Sequence, residues 1–507
     1  MTRRKAPVSD VLLATEGTYP YTLGGVSAWA DRLIQGLSDF RFTVYAVVAN
    51  PGATPRYALP DNVDRLLMVP LWGTDRHEEF SWNPQMSWSL GVRRAFQRDF
   101  LPAYEAFLTA CLRPAEARLD EALDALRVMA AFAERGNMKY ALRHEKTWDI
   151  LRSRLSEHPL FRHLNLFEAV DIGKLLYRYL APLAFPVPEA RIYHSSAAAF
   201  CALPLVIAKE RYHRPLLVTE HGVYYRERLL SIGRMERAAP YRYFLSSLYG
   251  LVVRLVYQAA DSVAPVAKFN ALWEQKLGVP PERIHPIPNG VDPRVFHITR
   301  NPGSGNQPLR LVMIARIDPL KDIHTAIRAM RALREAYGTR PELVGVTLTI
   351  YGPAPDPAYE ASCRDLVREY RLENVVRFAG PTDDVNGALN GGDIAVMSSS
   401  SEGFPYAAVE AVMAGRPIVA TNVGGMSEIV QPPYGILVPP RRPRELADAI
   451  ARLAANRSQL ATLGRLGRER MLAEFTLDRF LERYRAWYHA WASEGEHEHE
   501  RRDRETV

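Results

Sequence analysis

The sequence predicts an α/β protein built on parallel strands, and three stretches carry that prediction. Asp393-Ile-Ala-Val-Met397 is a short apolar run bounded by Gly391-Gly392 and by serines, as suits a buried parallel strand. Val11-Leu-Leu-Ala-Thr15 leads through a loop containing Gly24-Gly25 into a helical pattern over Val26–Leu37. Pro215-Leu-Leu-Val-Thr-Glu220 reads as a third buried strand, and it delivers His221-Gly222 at its C-terminal end. That is the edge at which α/β proteins place ligands.

Composition sets the frame around these elements. With 507 residues, 47% hydrophobic and 24% charged, the chain can bury two sizeable cores and is neither disordered nor fibrous. Length alone would allow three domains. Between Phe80 and Pro182 the sequence is rich in Ala, Leu, Arg and Glu without strong strand signals, Ala115–Glu134 being an example, and it reads as a helical insertion. Trp72, Trp82 and Trp88 near its start are read as packing between insertion and core in preference to stacking on sugars.

The net charge of +7 is interspersed with acidic residues, so nothing requires a nucleic-acid partner. It suits anionic sugar nucleotides and an anionic membrane face. The longest apolar candidate, Leu248–Ala267, is interrupted by Arg254 and Asp261, so no run reaches the ~18 residues that span a bilayer. Met1-Thr-Arg-Arg-Lys leads straight into a strand, without a signal-peptide core, and a cytoplasmic location is expected. Cys111, Cys201 and Cys363 are odd in number and far apart, as reduced packing residues are. Asp383-Asp384 is read as a turn or cap, and the tail bearing His497 and His499 as a disordered terminus; no metal is expected.

The chemistry concentrates in Ser398–Glu410, where Glu402 and Glu410 bracket the turn Gly403-Phe404-Pro405 and the start of an apolar helix. Pro405 fits the first helical position. The helix N-terminus can take a diphosphate at Gly403-Phe404, and the flanking carboxylates then suit hydroxyls of a ribose and a sugar. Equally, both glutamates fit as solvated or capping residues. Arg316 and Lys321 straddle a strand-to-helix turn, where both could reach one diphosphate; a surface arginine and a helix-start lysine is the alternative. Gly24 and Gly25 let backbone approach phosphate or mark an ordinary turn. His221 is the candidate catalytic side chain of the first half, against a satisfied structural histidine. His194 ends another strand and is a further cleft candidate. In Tyr225-Arg226-Glu227-Arg228, Arg226 or Glu227 touches sugar or acceptor, or the segment is a solvated helix start, the preferred reading for Arg228.

Glu402-Gly-Phe-Pro with Glu410, followed by Ala414-Gly-Arg-Pro-Ile-Val-Ala420 and Gly424-Gly425-Met-Ser-Glu428, resembles the signature of retaining GT-B glycosyltransferases of family 4. The likeness is close over Leu309 to Phe475, with Ile314–Asp322 and the junction Pro288-Asn-Gly-Val-Asp292 in the expected order. Glu16–Trp29 and Thr219–Arg228 resemble the PelF-type enzymes of Pel exopolysaccharide synthesis. The resemblance implies two facing Rossmann-like domains with an interdomain cleft, at 8–297 and 301–476. It also implies a helix over 477–491 crossing back to the first domain, with 494–507 as a disordered tail and the insertion at about 80–182.

It further implies hexose transfer, of glucose or an N-acetylhexosamine, from a nucleoside diphosphate sugar, UDP-linked, to a growing exopolysaccharide or other glycan acceptor. No cofactor is implied. His221, Glu402, Arg316 and Lys321 are the implied catalytic residues; Gly24, Gly25, Gly403, Phe404 and Glu410 join the basic pair in donor binding. Peripheral docking on an inner-membrane polysaccharide synthase complex is the implied partnership. A phosphorylase, a nucleotide-sugar epimerase and a non-catalytic nucleotide-binding subunit are the alternatives.

Overall fold

The computed structural model describes residues 8–72, 88–134, 138–304 and 307–505, with backbone alone for 494–505. The chain divides into two compact units, Met1–Pro265 with Ala271–Pro286 and Tyr484–Val507, and Val266–Asn270 with Ile287–Arg483.

The first unit is built on a parallel sheet of β1 (Ser9–Glu16), β2 (Phe42–Val48), β3 (Val63–Pro70), β4 (Ala190–Ser195), β5 (Leu216–Glu220) and β6 (Ser262–Pro265). Its strand order is β3-β2-β1-β4-β5-β6. β2 is buried along its whole length and β1 nearly so, as strands covered by helices on both faces must be. The second unit carries β7 (Arg310–Ile314), β8 (Thr347–Tyr351), β9 (Val376–Gly380), β10 (Ile394–Met397), β11 (Ile418–Thr421) and β12 (Gly435–Val438). Its order, β12-β11-β10-β7-β8-β9, repeats the first when each sheet is counted from its own first strand. Both are doubly wound Rossmann-like domains, the predicted fold class. Such a sheet reverses direction between its first and fourth strands, and that switch point opens a ligand crevice at the strands' C-terminal ends. Here the switch points lie between β1 and β4 and between β7 and β10.

Helices fill the described chain between β3 and β4: Leu101–Leu112, Leu119–Ala133, Met138–Arg143, Glu145–Glu157 and Leu166–Leu180, after shorter turns from Leu90. Their apolar faces join the core of the first sheet. Trp88 packs against Phe96, Phe132 and Tyr140; Trp82 and the expected start of the insertion lie outside the described residues, as does Met1–Lys5. The apolar run Leu248–Ala267 is divided between the helix Ala239–Ala259 and β6. Among the described residues, no helix is long and apolar enough to cross a membrane.

The structure corrects two boundaries. Ile287–His297, expected in the first domain, belongs to the second unit, where Val291 pairs with Thr476. An added Cβ at Gly290 would lie 2.4 Å from the Thr476 carbonyl oxygen, so the junction motif is part of that packing. The final helix does not stop at 491: it runs over Leu477–Glu505 and replaces the expected disordered tail as far as Glu505. From Tyr484 onward it belongs to the first unit. Tyr484 bonds Trp29 Nε1 (3.2 Å) and the Thr219 hydroxyl (3.0 Å), and Trp487 Nε1 donates to Ser262 (3.0 Å).

Candidate functional site

At the switch point of the second unit, the chain leaves β7 through Ala315 and turns into the helix Ile323–Tyr337. The turn is tied down twice. Asp318, buried, accepts from the backbone N–H groups of Leu320 (2.9 Å) and Lys321 (3.2 Å) through Oδ1, while Oδ2 pairs with the Arg316 guanidinium at 3.1 Å. From the other strand, the serines after β10 reach across. Ser398 Oγ lies 3.0 and 2.9 Å from the carbonyl oxygens of Lys321 and Asp322, and the Ser400 N–H donates to Leu320 at 2.8 Å. The basic pair is thereby preorganised on a fixed turn.

The Lys321 ammonium meets Glu402 Oε1 at 2.6 Å, and Ser399 Oγ donates to the same oxygen at 2.6 Å. Glu402 is held in turn by the backbone beneath it. Gly424 has φ +56, and a Cβ there would fall 1.8 Å from the Glu402 carbonyl oxygen; only glycine permits that approach. The Gly425 N–H then donates to Gly403 at 2.8 Å. The helix Tyr406–Met413 starts without a side-chain cap, and the Ala408 N–H donates to the Pro405 carbonyl at 3.2 Å. Glu410 lies half-buried on its second turn.

One expectation is corrected here. Pro405 is the residue before the helix, not its first member. Phe404, expected to serve the donor through its backbone, has its ring buried in the core against Phe475 (centroids 5.2 Å apart), and its carbonyl accepts from Asn289 Nδ2 at 3.1 Å.

The corresponding edge of the first unit is apolar and aromatic. Gly24 precedes the helix Gly25–Gly36, whose N-terminus has no side-chain cap. Both glycines are exposed, and an added Cβ at Gly24 meets nothing within 4 Å, so open space faces this turn. His221 follows β5 and packs edge-on against Trp29, ring centroids 4.5 Å apart. Its Nε2 is buried, with no hydrogen-bond partner among the described residues. Burial pushes its pKa down to about 3, leaving a neutral imidazole.

Glu220, the residue before it, is equally enclosed: Oε1 accepts from the Ala198 N–H and the Tyr257 hydroxyl, both at 3.0 Å. Burial raises its pKa to about 8. Glu274 is fully buried with both carboxyl oxygens unpartnered among the described residues, and burial reinforced by Glu220 raises it to about 9.

His194 is not a cleft residue. It is fully buried, with Nδ1 2.6 Å from the Tyr488 hydroxyl and Nε2 2.9 Å from that of Thr219. Both ring nitrogens are satisfied, and burial, with the neighbouring His221 adding to it, lowers its pKa to about 3. Arg226 lies half-buried on the first turn of the helix Tyr224–Gly233. Arg228, expected in solvent, stacks its guanidinium 4.7 Å over Tyr224, whose hydroxyl donates to Glu16 at 2.7 Å.

Residues 9–282 match the family described as Domain of unknown function (DUF3492). The chain belongs to this family. Residues 297–470 match Glycosyl transferases group 1, which spans the Arg316, Lys321, Glu402 and Glu410 constellation. The chain is 30% identical over 230 residues to a protein named for colanic acid biosynthesis, the glycosyltransferase WcaL of Escherichia coli, covering 43% of this chain and 54% of that one. It thus spans about half the length of the curated relatives it matches. Among solved structures, sucrose-phosphate synthase from Thermosynechococcus elongatus has a TM-score of 0.59 at 16% identity, with 95% of this chain and 99% of that one covered. Anabaena HepE, solved in complex with UDP and glucose, has a TM-score of 0.59 at 14% identity, with 94% and 98% covered. At these identities the likeness concerns the fold.

Sequence reasoning missed Asp318 and the clamp made by Ser398–Ser400. The serines were legible as the end of a strand, but their target becomes visible only when β10 is set beside β7. It also missed Gly352, with φ +150 and an added Cβ 2.0 Å from the Ala315 carbonyl oxygen, which lets β8 close against the exit of β7. Among the described residues, no group of three His, Cys, Asp or Glu could hold a metal ion.

Proposed function

We propose that this protein is a retaining glycosyltransferase that moves a hexose, glucose or an N-acetylhexosamine, from a UDP-sugar to a growing exopolysaccharide or other glycan acceptor. One observation carries the reading: Arg316 and Lys321 are fixed by Asp318 and the serine clamp at a doubly wound switch point, beside Glu402. A preorganised cationic turn of this kind stabilises charge on a departing diphosphate. The match to Glycosyl transferases group 1 over the same residues supports it, as does the UDP and glucose named with HepE.

In the proposed reaction the acceptor hydroxyl attacks the anomeric carbon on the face that the nucleotide leaves. The C–O bond to the diphosphate breaks, its electron pair stays with the phosphate oxygen, and that oxygen takes the acceptor's proton. Arg316 and Lys321 hold the leaving group together with the backbone donors after Gly403. Glu402 and Glu410 accept from sugar and ribose hydroxyls, with Glu402 exchanging its bond to Lys321 for one to the donor. His221, neutral at all working pH values, orients a hydroxyl through Nε2 and shuttles no proton. Gly24 and Gly25 admit ligand at the head of their helix. We place the enzyme in the cytoplasm, docked peripherally on a membrane polysaccharide synthase as a PelF-type enzyme.

The test is incubation with UDP-, GDP- and ADP-glucose and with UDP-N-acetylglucosamine, with and without glycan acceptor, followed by NMR of the product anomer. Acceptor-dependent UDP release with retained configuration is expected. Phosphate-dependent sugar phosphate, or an epimerised donor without acceptor, would replace the reading by a phosphorylase or an epimerase.

A further inference from the structure

A cavity of about 490 Å³ lies in the first unit among the helices between β3 and β4, far in sequence from the constellation above. Its inner wall is apolar and aromatic, with Tyr104, Leu151 and Leu176 buried and Trp148 partly so. Gly173 keeps it open: in the middle of the helix Leu166–Leu180, a Cβ there would approach Leu151 Cδ2 to 3.1 Å and Trp148 Cζ3 to 3.8 Å. Glycine is disfavoured in a helix interior, and here its missing side chain is part of the wall.

The charge is one-sided. Among the described residues, Arg143, Lys174 and Arg178 line the cavity, and no aspartate or glutamate does. Lys174 and Arg178, four apart, share a helix face. Arg143 sits 5.7 Å over the ring of Tyr177, between them in sequence, and Arg178 stacks on Trp72. The carboxylate of Asp171, 3.7 Å from Lys174, is shared with Arg237 at 2.6 Å. Groups that recognise sugar hydroxyls are scarce. The Thr147 hydroxyl is spent on the Ala141 carbonyl at 2.6 Å, which leaves the hydroxyls of Tyr104 and Tyr177 among the described lining residues. The space falls within the usual range for small-molecule sites, a few hundred Å³, well beyond the needs of a lone inorganic anion.

We propose that this cavity binds an anionic amphiphile: an apolar chain against Tyr104, Trp148 and Leu151, with a phosphate or carboxylate head on Arg143, Lys174 and Arg178. This holds whether or not the transferase reading does. The full-length protein is titrated calorimetrically with octyl and decyl phosphate and with decanoate, all below their micelle concentrations. Decyl maltoside and inorganic phosphate are titrated alongside.

Saturable binding of decyl phosphate is expected, weakening roughly fourfold for each methylene removed. The Lys174→Gln/Arg178→Gln double variant is expected to lose at least tenfold, with an unchanged melting temperature. Gly173→Leu should abolish binding by filling the space; should it fail to fold, the double variant decides alone. Relative binding of decyl phosphate and decanoate tells a phosphate head from a carboxylate. Absent binding, equal binding of decyl maltoside or inorganic phosphate, or an unaffected double variant would each overturn the proposal.

Discussion

At the switch point of the second unit, Arg316 and Lys321 are held in place by the carboxylates of Asp318 and Glu402. At the corresponding edge of the first unit, burial strips charge away: His194 and His221 are neutral imidazoles, and Glu220 and Glu274 are raised toward neutral carboxyls. The same strand order thus supports two electrostatic designs. One pairs cations with carboxylates on a fixed turn, the other encloses neutral hydrogen-bonding groups among aromatic rings.

The sharpest way to break this comparison is to remove charge from the second unit. Arg316→Ala or Lys321→Ala is expected to lower kcat/KM for transfer by roughly 10²–10³-fold, the usual loss on deleting one preorganised donor. The assay is UDP release with acceptor present. His221→Asn should also slow transfer, yet the wild-type profile of kcat/KM should show no inflection near pH 6.5 from this residue, because it is neutral down to about pH 3.

The next effect is on stability. Gly424→Ala or Gly352→Ala drives a Cβ into a backbone carbonyl and should cost on the order of 3 kcal/mol, read as an earlier urea transition of the second unit. A loss below about 0.5 kcal/mol would mean that the glycines are not needed for the close approach. Asp318→Asn, which keeps a backbone acceptor but drops the pairing charge, should raise the KM for donor about tenfold, in line with a charge-assisted hydrogen bond.

A further set of effects is that of pH on the first unit. For His194 and His221 the folded pKa of about 3 lies below the ordinary 6.5, so the unfolded chain binds the extra protons, and stability is lost as pH falls through that window. Glu220 and Glu274, raised from 4.5 to about 8 and about 9, work in the opposite sense: stability falls as pH rises from 4.5 through those values. Glu274→Gln should flatten the alkaline arm of a melting-temperature profile. An unchanged arm would mean that Glu274 is ionised in the fold.

The two halves also differed in how far they could be read from sequence. The buried strands, the helical insertion and the turn carrying Arg316 and Lys321 were legible because each depends on residues close together in the chain. Asp318 was hidden because an aspartate in a turn has many ordinary uses, and its double anchorage is a matter of geometry. In the first unit His194 looked like a cleft residue, since its partner Tyr488 stands 294 positions away. The continuation of the last helix to Glu505 was obscured by its charged composition, which reads equally as a solvated helix and as a coil.

The central claim is that the fixed basic turn after β7 is a diphosphate site. Calorimetric titration of the whole protein with UDP, GDP and ADP, repeated on the Arg316→Ala/Lys321→Ala variant, tests it most directly. The account predicts saturable binding of UDP, lost in the variant while its melting transition persists. Equal UDP binding by the variant, or no binding of any nucleotide by the wild type, would contradict it.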